Sequence, residues 1–361
     1  MNILIFRIGQ LGDTIVALPA MWAIRKHFPE ASLTLLCDRH PRKNHVLAAE
    51  LLEGVGIFDR VESYAVDDSP AGQALRPWRM LGLLWKLRRQ HFDLLVYLAP
   101  SIRTATHVAR DRKFFSAAGI KQFIGMKGFP DLPRKAPGQP LGATPAEADL
   151  LLARLAADGV TVPAAGKGSL DLCLGAAEAA EVEAWLAKLS NDRDSPWIGV
   201  GPGSKMPAKR WPEERFRFVV AKLIERFNLW PVIFGGPEDA ELGDRLLCAW
   251  GRGYNAAGVL SLRGAAAALA RCGMFLGNDT GTMHLAAAAG VQCVAVFSAR
   301  HAPGAWNPYG KSHRVFQSQI ECEGCLLVEC VEKKNECLAR IRCGLELGRD
   351  TSQQLHGGMP G

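Results

Sequence analysis

Asn2-Ile3-Leu4-Ile5-Phe6-Arg7-Ile8-Gly9-Gln10-Leu11-Gly12-Asp13-Thr14 is the stretch that decides the fold. Ile3 to Phe6 are consecutive apolar residues, the pattern of a strand buried on both faces. Gly9 and Gly12 let the backbone turn tightly. From Asp13 to His27, Ile15, Leu18, Met21, Trp22 and Ile24 fall on one side of a helix that Pro29 ends. A buried strand leading through a glycine turn into a helix opens a parallel α/β sheet. The spacing is not G-x-G-x-x-G, so the dinucleotide-binding fingerprint is absent.

The alternation continues outward. Strands are predicted at Ser32–Cys37, Arg60–Tyr64, Asp93–Leu98 and Leu170–Leu174. Helices are predicted at His45–Gly54, Pro77–His91 with Pro77 in its first turn, Thr104–Arg112, Ala146–Asp158 and Ala176–Leu189, the last ended by Ser190-Asn191-Asp192. A Pro- and Gly-rich loop covers Phe129 to Pro145. The second half repeats the pattern, with strands at Trp197–Val200, Trp230–Phe234, Met274–Leu276 and Gln292–Phe297. Its helices fall at Pro212–Arg226, Ala240–Trp250, Ser261–Arg271 and Thr282–Ala289. Two α/β domains in tandem follow, 1–175 and 176–361, with the boundary near Gly175. Ligands of open parallel sheets bind beyond the carboxyl ends of the strands, so the cleft between the domains is the expected active site.

The chain has 361 residues, 48% hydrophobic and 22% charged, the composition of a globular protein. No apolar run reaches the roughly 18 residues of a spanning helix. A secretory signal would begin with basic residues before a longer apolar stretch, so a cytosolic protein is expected. The net charge is +7. Ten Lys or Arg and two acids lie between Arg76 and Lys121, so this segment carries +8 and the rest of the chain about −1. A local basic field of this kind attracts an anionic partner.

Four segments, the opening one included, can carry chemistry, each placed between a strand and a helix. Asp13 is either a helix cap or a carboxylate facing the cleft, able to take a proton from a sugar hydroxyl. Gly201 to Pro212 joins glycine, Ser204 and three cations, Lys205, Lys209 and Arg210, before a helix, either a diphosphate site or flexible loop charges. In Gly277-Asn278-Asp279-Thr280-Gly281-Thr282-Met283-His284, Asp279, Thr280 and Gly281 offer an anion cradle, and His284 either joins it or packs in the core. After Gly235-Gly236-Pro237, Glu238 or Asp239 can accept from both ribose hydroxyls or cap the next helix.

Taken together, from Asn2 to about Cys337, these segments resemble glycosyltransferase family 9, the heptosyltransferases. The resemblance rests on G-x-x-G-D at Gly9–Asp13, K-x-W-P at Lys209–Pro212, G-G-P-x-D at Gly235–Asp239 and D-T-G-x-x-H at Asp279–His284, in that order. It implies the GT-B fold, two Rossmann-like domains facing each other across a cleft, with acceptor on the first and nucleotide sugar on the second. It also implies inverting transfer of heptose from ADP-heptose to a hydroxyl of the lipopolysaccharide inner core, with no metal and no cofactor. On the matching positions, Asp13 is the general base and Lys209 neutralises the diphosphate. Ser204 and Lys205 fall where phosphate-binding hydroxyl residues are usual, Lys205 departing from that pattern. Glu238 or Asp239 binds ribose; Asp279, Thr280, Gly281 and His284 contact the donor. Lys209 and two helix N-termini would stabilise the leaving charge.

The family's acceptor is a phosphorylated glycolipid, which draws attention to the basic segment. Arg76, Arg79, Lys86 and Arg89 lie along one side of the Pro77–His91 helix, and Trp78, Leu81 and Trp85 along another. Either this is a solvated basic face, or these residues and Arg103 meet the acceptor and the cytoplasmic face of the inner membrane. Nothing in the pattern supports nucleic-acid binding. Of ten cysteines, Cys37, Cys173, Cys248, Cys272 and Cys293 read as buried small hydrophobes. Cys322, Cys325, Cys330, Cys337 and Cys343 contain only one close pair, which argues against zinc, and the resemblance, in a family that often has cysteines in this segment, favours a local structural role. The only D-x-D, Asp192-Arg193-Asp194, falls at the wrong end of its strand for a donor site. Other readings are a family member with another nucleotide sugar or acceptor, a sugar-nucleotide epimerase, and a non-catalytic nucleotide-binding protein.

Overall fold

The computed structural model describes residues 1–40, 48–131, 133–136, 138–189 and 195–342. The first half contains β1 (Asn2–Arg7), α1 (Leu11–His27), β2 (Ser32–Arg39), α2 (Ala48–Leu52), β3 (Arg60–Ala65), α3 (Pro70–Gln90), β4 (Leu94–Tyr97), α4 (Ala105–Ala117), β5 (Gln122–Ile124), α5 (Glu147–Ala157) and α6 (Ala176–Leu186). The second contains β6 (Trp197–Gly201), α7 (Glu213–Phe227), β7 (Trp230–Ile233), α8 (Ala240–Trp250), β8 (Tyr254–Asn255), α9 (Leu262–Leu269), β9 (Cys272–Asn278), α10 (Gly281–Ala288), β10 (Cys293–Phe297), β11 (Arg314–Gln317) and α11 (Glu336–Ala339).

Two parallel sheets result, in the orders β3-β2-β1-β4-β5 and β11-β10-β9-β6-β7-β8. In β1, Ile3 and Ile5 face one core cluster while Leu4 and Phe6 face another, the period of two expected of a strand. Ile3 registers on Leu33 of β2 and Leu94 of β4, so the apolar run at the N-terminus is the buried centre of its sheet. One core cluster is continuous through both halves, joining Ile15 and Leu18 of α1 to Met283 and Leu285 of α10.

Several expectations are corrected. Leu170–Leu174 is not a strand: its backbone polar groups go to side chains. The Trp22 indole donates to the Asp171 carbonyl, and Arg263 donates to the carbonyls of Leu172 and Cys173. The helix predicted from Pro77 begins at Pro70, where the Ser69 hydroxyl accepts from the Gly72 N–H at 3.1 Å, and it runs through Pro77. Cys173 and Cys248 are exposed, whereas Cys37, Cys272 and Cys293 are buried as expected of small hydrophobes. The short strands β5, β8 and β11 were not predicted. Residues 45–47, Ser190-Asn191-Asp192, the D-x-D at Asp192–Asp194 and Cys343 lie outside the described residues.

Arg263 of α9 ties the halves together. Its Nε donates to Glu178 of α6 at 2.6 Å, and Nη1 to the carbonyls of Leu172 at 3.0 Å and Leu51 of α2 at 3.2 Å. Arg263 is itself buried, and removing its guanidinium leaves these carbonyls without their donor. Arg263→Met is therefore expected to lower stability by about 3 kcal/mol, read from the midpoint of urea unfolding; an unchanged midpoint would show that the halves do not depend on this tie.

Candidate active site

The strand ends and the turns after them enclose a cavity of about 610 Å³. Its walls are the segments that follow the carboxyl ends of β1, β6, β7, β8, β9 and β10, the place where open parallel sheets bind ligands. It collects Asp13, Ser204, Lys205, Lys209, Glu238, Asp239, Asp279, Thr280, Gly281 and His284.

Asp13 occupies the first turn of α1, not the cap position. Gln10 is the cap, and the Asp13 carboxylate accepts from its N–H at 2.8 Å. The same residue lines the cavity, so Asp13 is not the cap itself but serves the capping box from the third helical position while facing the cleft. Arg7, fully buried at the end of β1, donates to the Asp13 backbone carbonyl and brings Nη2 to 3.6 Å from the carboxylate. Burial pushes the Asp13 carboxyl above the usual carboxylate range, while Arg7 and Lys209 oppose the shift. A raised carboxyl in a cleft is poised to take a proton.

Across the cavity, the Lys209 ammonium pairs with Asp279 at 2.7 Å, both largely buried at 14% and 4% exposure. Thr280 caps α10, so the N–H groups of its first turn open beside this pair, where anions are favoured. The first turn of α7 does not line the cavity. That helix starts at Glu213, after a short turn at Pro207–Lys209, and its first turn carries Glu213 and Glu214. The expected N-terminus of α7 is thus removed from the cavity wall, while that of α10 stays on it. Arg210 is also turned away from its expected part, its Nε donating to the Ser204 carbonyl at 2.7 Å.

The other end of the cavity is built on Asp239. Its carboxylate accepts from the Gly236 N–H at 3.1 Å, and a Cβ at Gly203 would lie 1.9 Å from it, so only glycine allows this approach. Burial raises the Asp239 carboxyl, with Lys205 and Arg210 opposing. Glu238 is exposed and 3.9 Å from Lys205. Ser204 is buried, its hydroxyl accepting from the Met206 N–H at 3.1 Å. His284 is buried against α1, and a Cβ at Gly12 would lie 2.9 Å from its ring. Burial pushes its imidazole down to about 4, with Asp279 opposing.

Residues outside the sequence expectation complete the site. Asn278, buried at the end of β9, accepts from the Trp211 N–H at 3.1 Å and donates to the Pro202 carbonyl at 2.7 Å, fixing the loop that carries Lys209. Its place inside G-N-D-T-G was the available signal. Arg300, His301 and Trp306 line the cavity after β10, a segment with no glycine-turn motif at its start. Arg76, Arg79, Lys86 and Arg103 do not line it. Arg79 and Lys86 pair with Asp67 and Glu62 at 3.9 and 3.2 Å, and Arg103 is held by Asp111, which also accepts from the Tyr97 hydroxyl at 2.7 Å. These pairs arise from acids remote in sequence or on α4, so the segment's cations are less available than its local count implied. Cys322, Cys325, Cys330 and Cys337 are free thiols, and among the described residues no three His, Cys, Asp or Glu side chains converge as a metal site.

Comparison with known proteins gives these features a context. Residues 151–336 match the model of glycosyltransferase family 9 (heptosyltransferase). The chain is 37% identical to lipopolysaccharide heptosyltransferase 2 of Escherichia coli K12 over 117 residues, 30% of this chain and 32% of that protein, so the match spans about a third of the relative's length. The fold superposes on the structure of E. coli ADP-heptose lipopolysaccharide heptosyltransferase II with a TM-score of 0.65 at 20% identity, covering 95% of both chains. It also superposes on an E. coli heptosyltransferase with ADP, with a TM-score of 0.59 at 18% identity over 87% of this chain and 92% of that one. The architecture is accordingly GT-B, two Rossmann-like α/β domains facing each other across a cleft.

The depressed imidazoles set a pH dependence. His284 and His301 both titrate near 4 in the folded protein against 6.5 ordinarily, so between these values the unfolded chain binds more protons. Stability is expected to fall as pH drops from about 6.5 toward about 4. Urea unfolding at a series of pH values checks this; His284→Gln is expected to remove up to one proton from the slope, and a slope unchanged by it would mean that His284 is protonated in the fold.

Proposed function

Since the chain belongs to glycosyltransferase family 9 (heptosyltransferase), we propose that it is an inverting, metal-independent glycosyltransferase. Its donor is ADP-heptose and its acceptor a hydroxyl of the lipopolysaccharide inner core. The observation that carries this reading is one cavity with Asp13 of the first half on one wall and the Lys209–Asp279 pair of the second on the other.

The chemistry follows from that arrangement. As an acceptor hydroxyl attacks the anomeric carbon, its proton passes to the Asp13 carboxylate. The C–O bond to the diphosphate breaks on the opposite face, so the configuration inverts. Negative charge grows on the departing ADP, where Lys209 and the first turn of α10 stabilise it. Asp239 accepts from the ribose hydroxyls. The ADP carried by the structural neighbour and the name of the E. coli relative support the choice of donor.

The acceptor side is assigned to α3. Trp78 and Trp85 are 73% and 59% exposed, Leu75 and Leu81 about half, and Arg89 lies 3.4 Å over the Trp85 ring. An exposed stripe of Trp and Leu flanked by Arg76, Arg79, Lys86 and Arg89 suits the interface of an anionic membrane, at the cytoplasmic face where the glycolipid would be met. No helix among the described residues is long and apolar enough to cross a membrane.

Thermal unfolding against ADP, UDP, GDP, CMP and NAD tests the donor. ADP at a hundred times its Kd should stabilise by about 2.7 kcal/mol; selective stabilisation by UDP or GDP would replace the donor, and a flat response would overturn the catalytic reading. With ADP-heptose and acceptor, Asp13→Asn is expected to lose about 10²- to 10⁴-fold in turnover while keeping ADP binding; near-normal turnover would leave Asp13 only its capping-box role. Sedimentation with vesicles containing anionic lipid should pull down the native protein and much less of Arg76→Glu/Trp78→Ala; equal recovery, with or without anionic lipid, would remove the membrane contact.

A further inference from the structure

The turn after β10 carries side chains that the proposed reaction does not use. Arg300 is buried and each nitrogen of its guanidinium holds a partner: Nε donates to the Leu327 carbonyl at 2.9 Å, Nη2 to the Leu326 carbonyl at 2.7 Å, and Nη1 to His301 Nε2 at 2.5 Å. A guanidinium cannot accept, so Nε2 is the acceptor and the imidazole is neutral, with its proton on Nδ1. The Trp306 ring stands 6.3 Å from the imidazole, and both line the cavity. The first half grips the same turn, the Thr144 N–H donating to the Pro303 carbonyl at 2.8 Å and the Glu147 N–H to that of Ala305 at 2.9 Å. Side chains held this firmly on both sides are preorganised for a ligand.

Electrostatic neighbours order the cavity. Asp239 feels Glu238, Arg210 and Lys205. His301 instead feels Arg300, Lys209 and Asp279, and Asp13 feels Lys209. His301 therefore stands near the Lys209–Asp279 pair and apart from the turn that carries Asp239.

Resting on the glycosyltransferase reading, we propose that His301 and Trp306 form the subsite that positions the donor's glycosyl group. The Trp306 ring offers an apolar surface to the C–H face of a sugar ring, and His301 Nδ1–H donates to a hydroxyl.

Calorimetric binding of a nucleotide and of its sugar-bearing form decides the matter, with the pair (ADP and ADP-heptose first) chosen as the one the native protein binds. In His301→Ala and Trp306→Ala, nucleotide affinity is expected to stay within about twofold, while the nucleotide sugar weakens about tenfold and its KM rises in parallel. His301→Gln, which keeps a neutral donor, is expected to recover most of the loss. Equal weakening of both ligands would make the turn a structural wall, and unchanged affinity for both would remove it from the subsite; either overturns the inference while leaving the transferase reading standing. A native protein that binds no pair overturns both.

Discussion

The packing of α1 on α10 is the contact on which the site depends. Each helix begins at the end of the central or near-central strand of its sheet, and each first turn is stripped of bulk where they meet. Gly12 lies against the ring of His284, and a Cβ at Gly281 would come 3.0 Å from Leu11. Small residues on both sides allow two helix starts to touch, so Asp13 and the Lys209–Asp279 pair share one cavity. The shared core cluster beneath and the Arg263 tie at the back hold the halves at that distance.

What was legible in the sequence follows from range. The central strands announce themselves as unbroken apolar runs, because both faces of a parallel sheet are covered. The site motifs are legible for a related reason: each follows such a strand, and glycine marks where the backbone must turn or where a side chain needs room, as at Gly203 beside Asp239. The misses are residues whose role is set far away. Leu170–Leu174 has the composition of a strand, but Arg263, about 90 positions on, takes its carbonyls. β8 has two residues and β5 three, too short to show a period. His301 is set by Arg300, which is in turn set by carbonyls 26 and 27 positions later. Arg79 and Lys86 look unopposed in their own helix and are paired by Asp67 and Glu62 from outside it.

The cavity also poses a question of charge. Its lining carries three cations, Lys205, Lys209 and Arg300, and five carboxylates, Asp13, Glu50, Glu238, Asp239 and Asp279, which on a simple count disfavours an anion. The distribution resolves this. Asp13 and Asp239 belong to separate turns, after β1 and β7, and each carboxylate is engaged by a backbone N–H, that of Gln10 and that of Gly236. Asp279 is neutralised by Lys209 at 2.7 Å. An entering diphosphate meets the other ammonium protons together with the N–H groups of α10, so it can share Lys209 without displacing Asp279 outright. Cations and dipole therefore occupy the middle, and hydrogen-bond acceptors occupy the ends. A molecule with charge at its centre and hydroxyls on both flanks is the complement of that pattern, and a sugar nucleotide meeting a hydroxyl acceptor has this form.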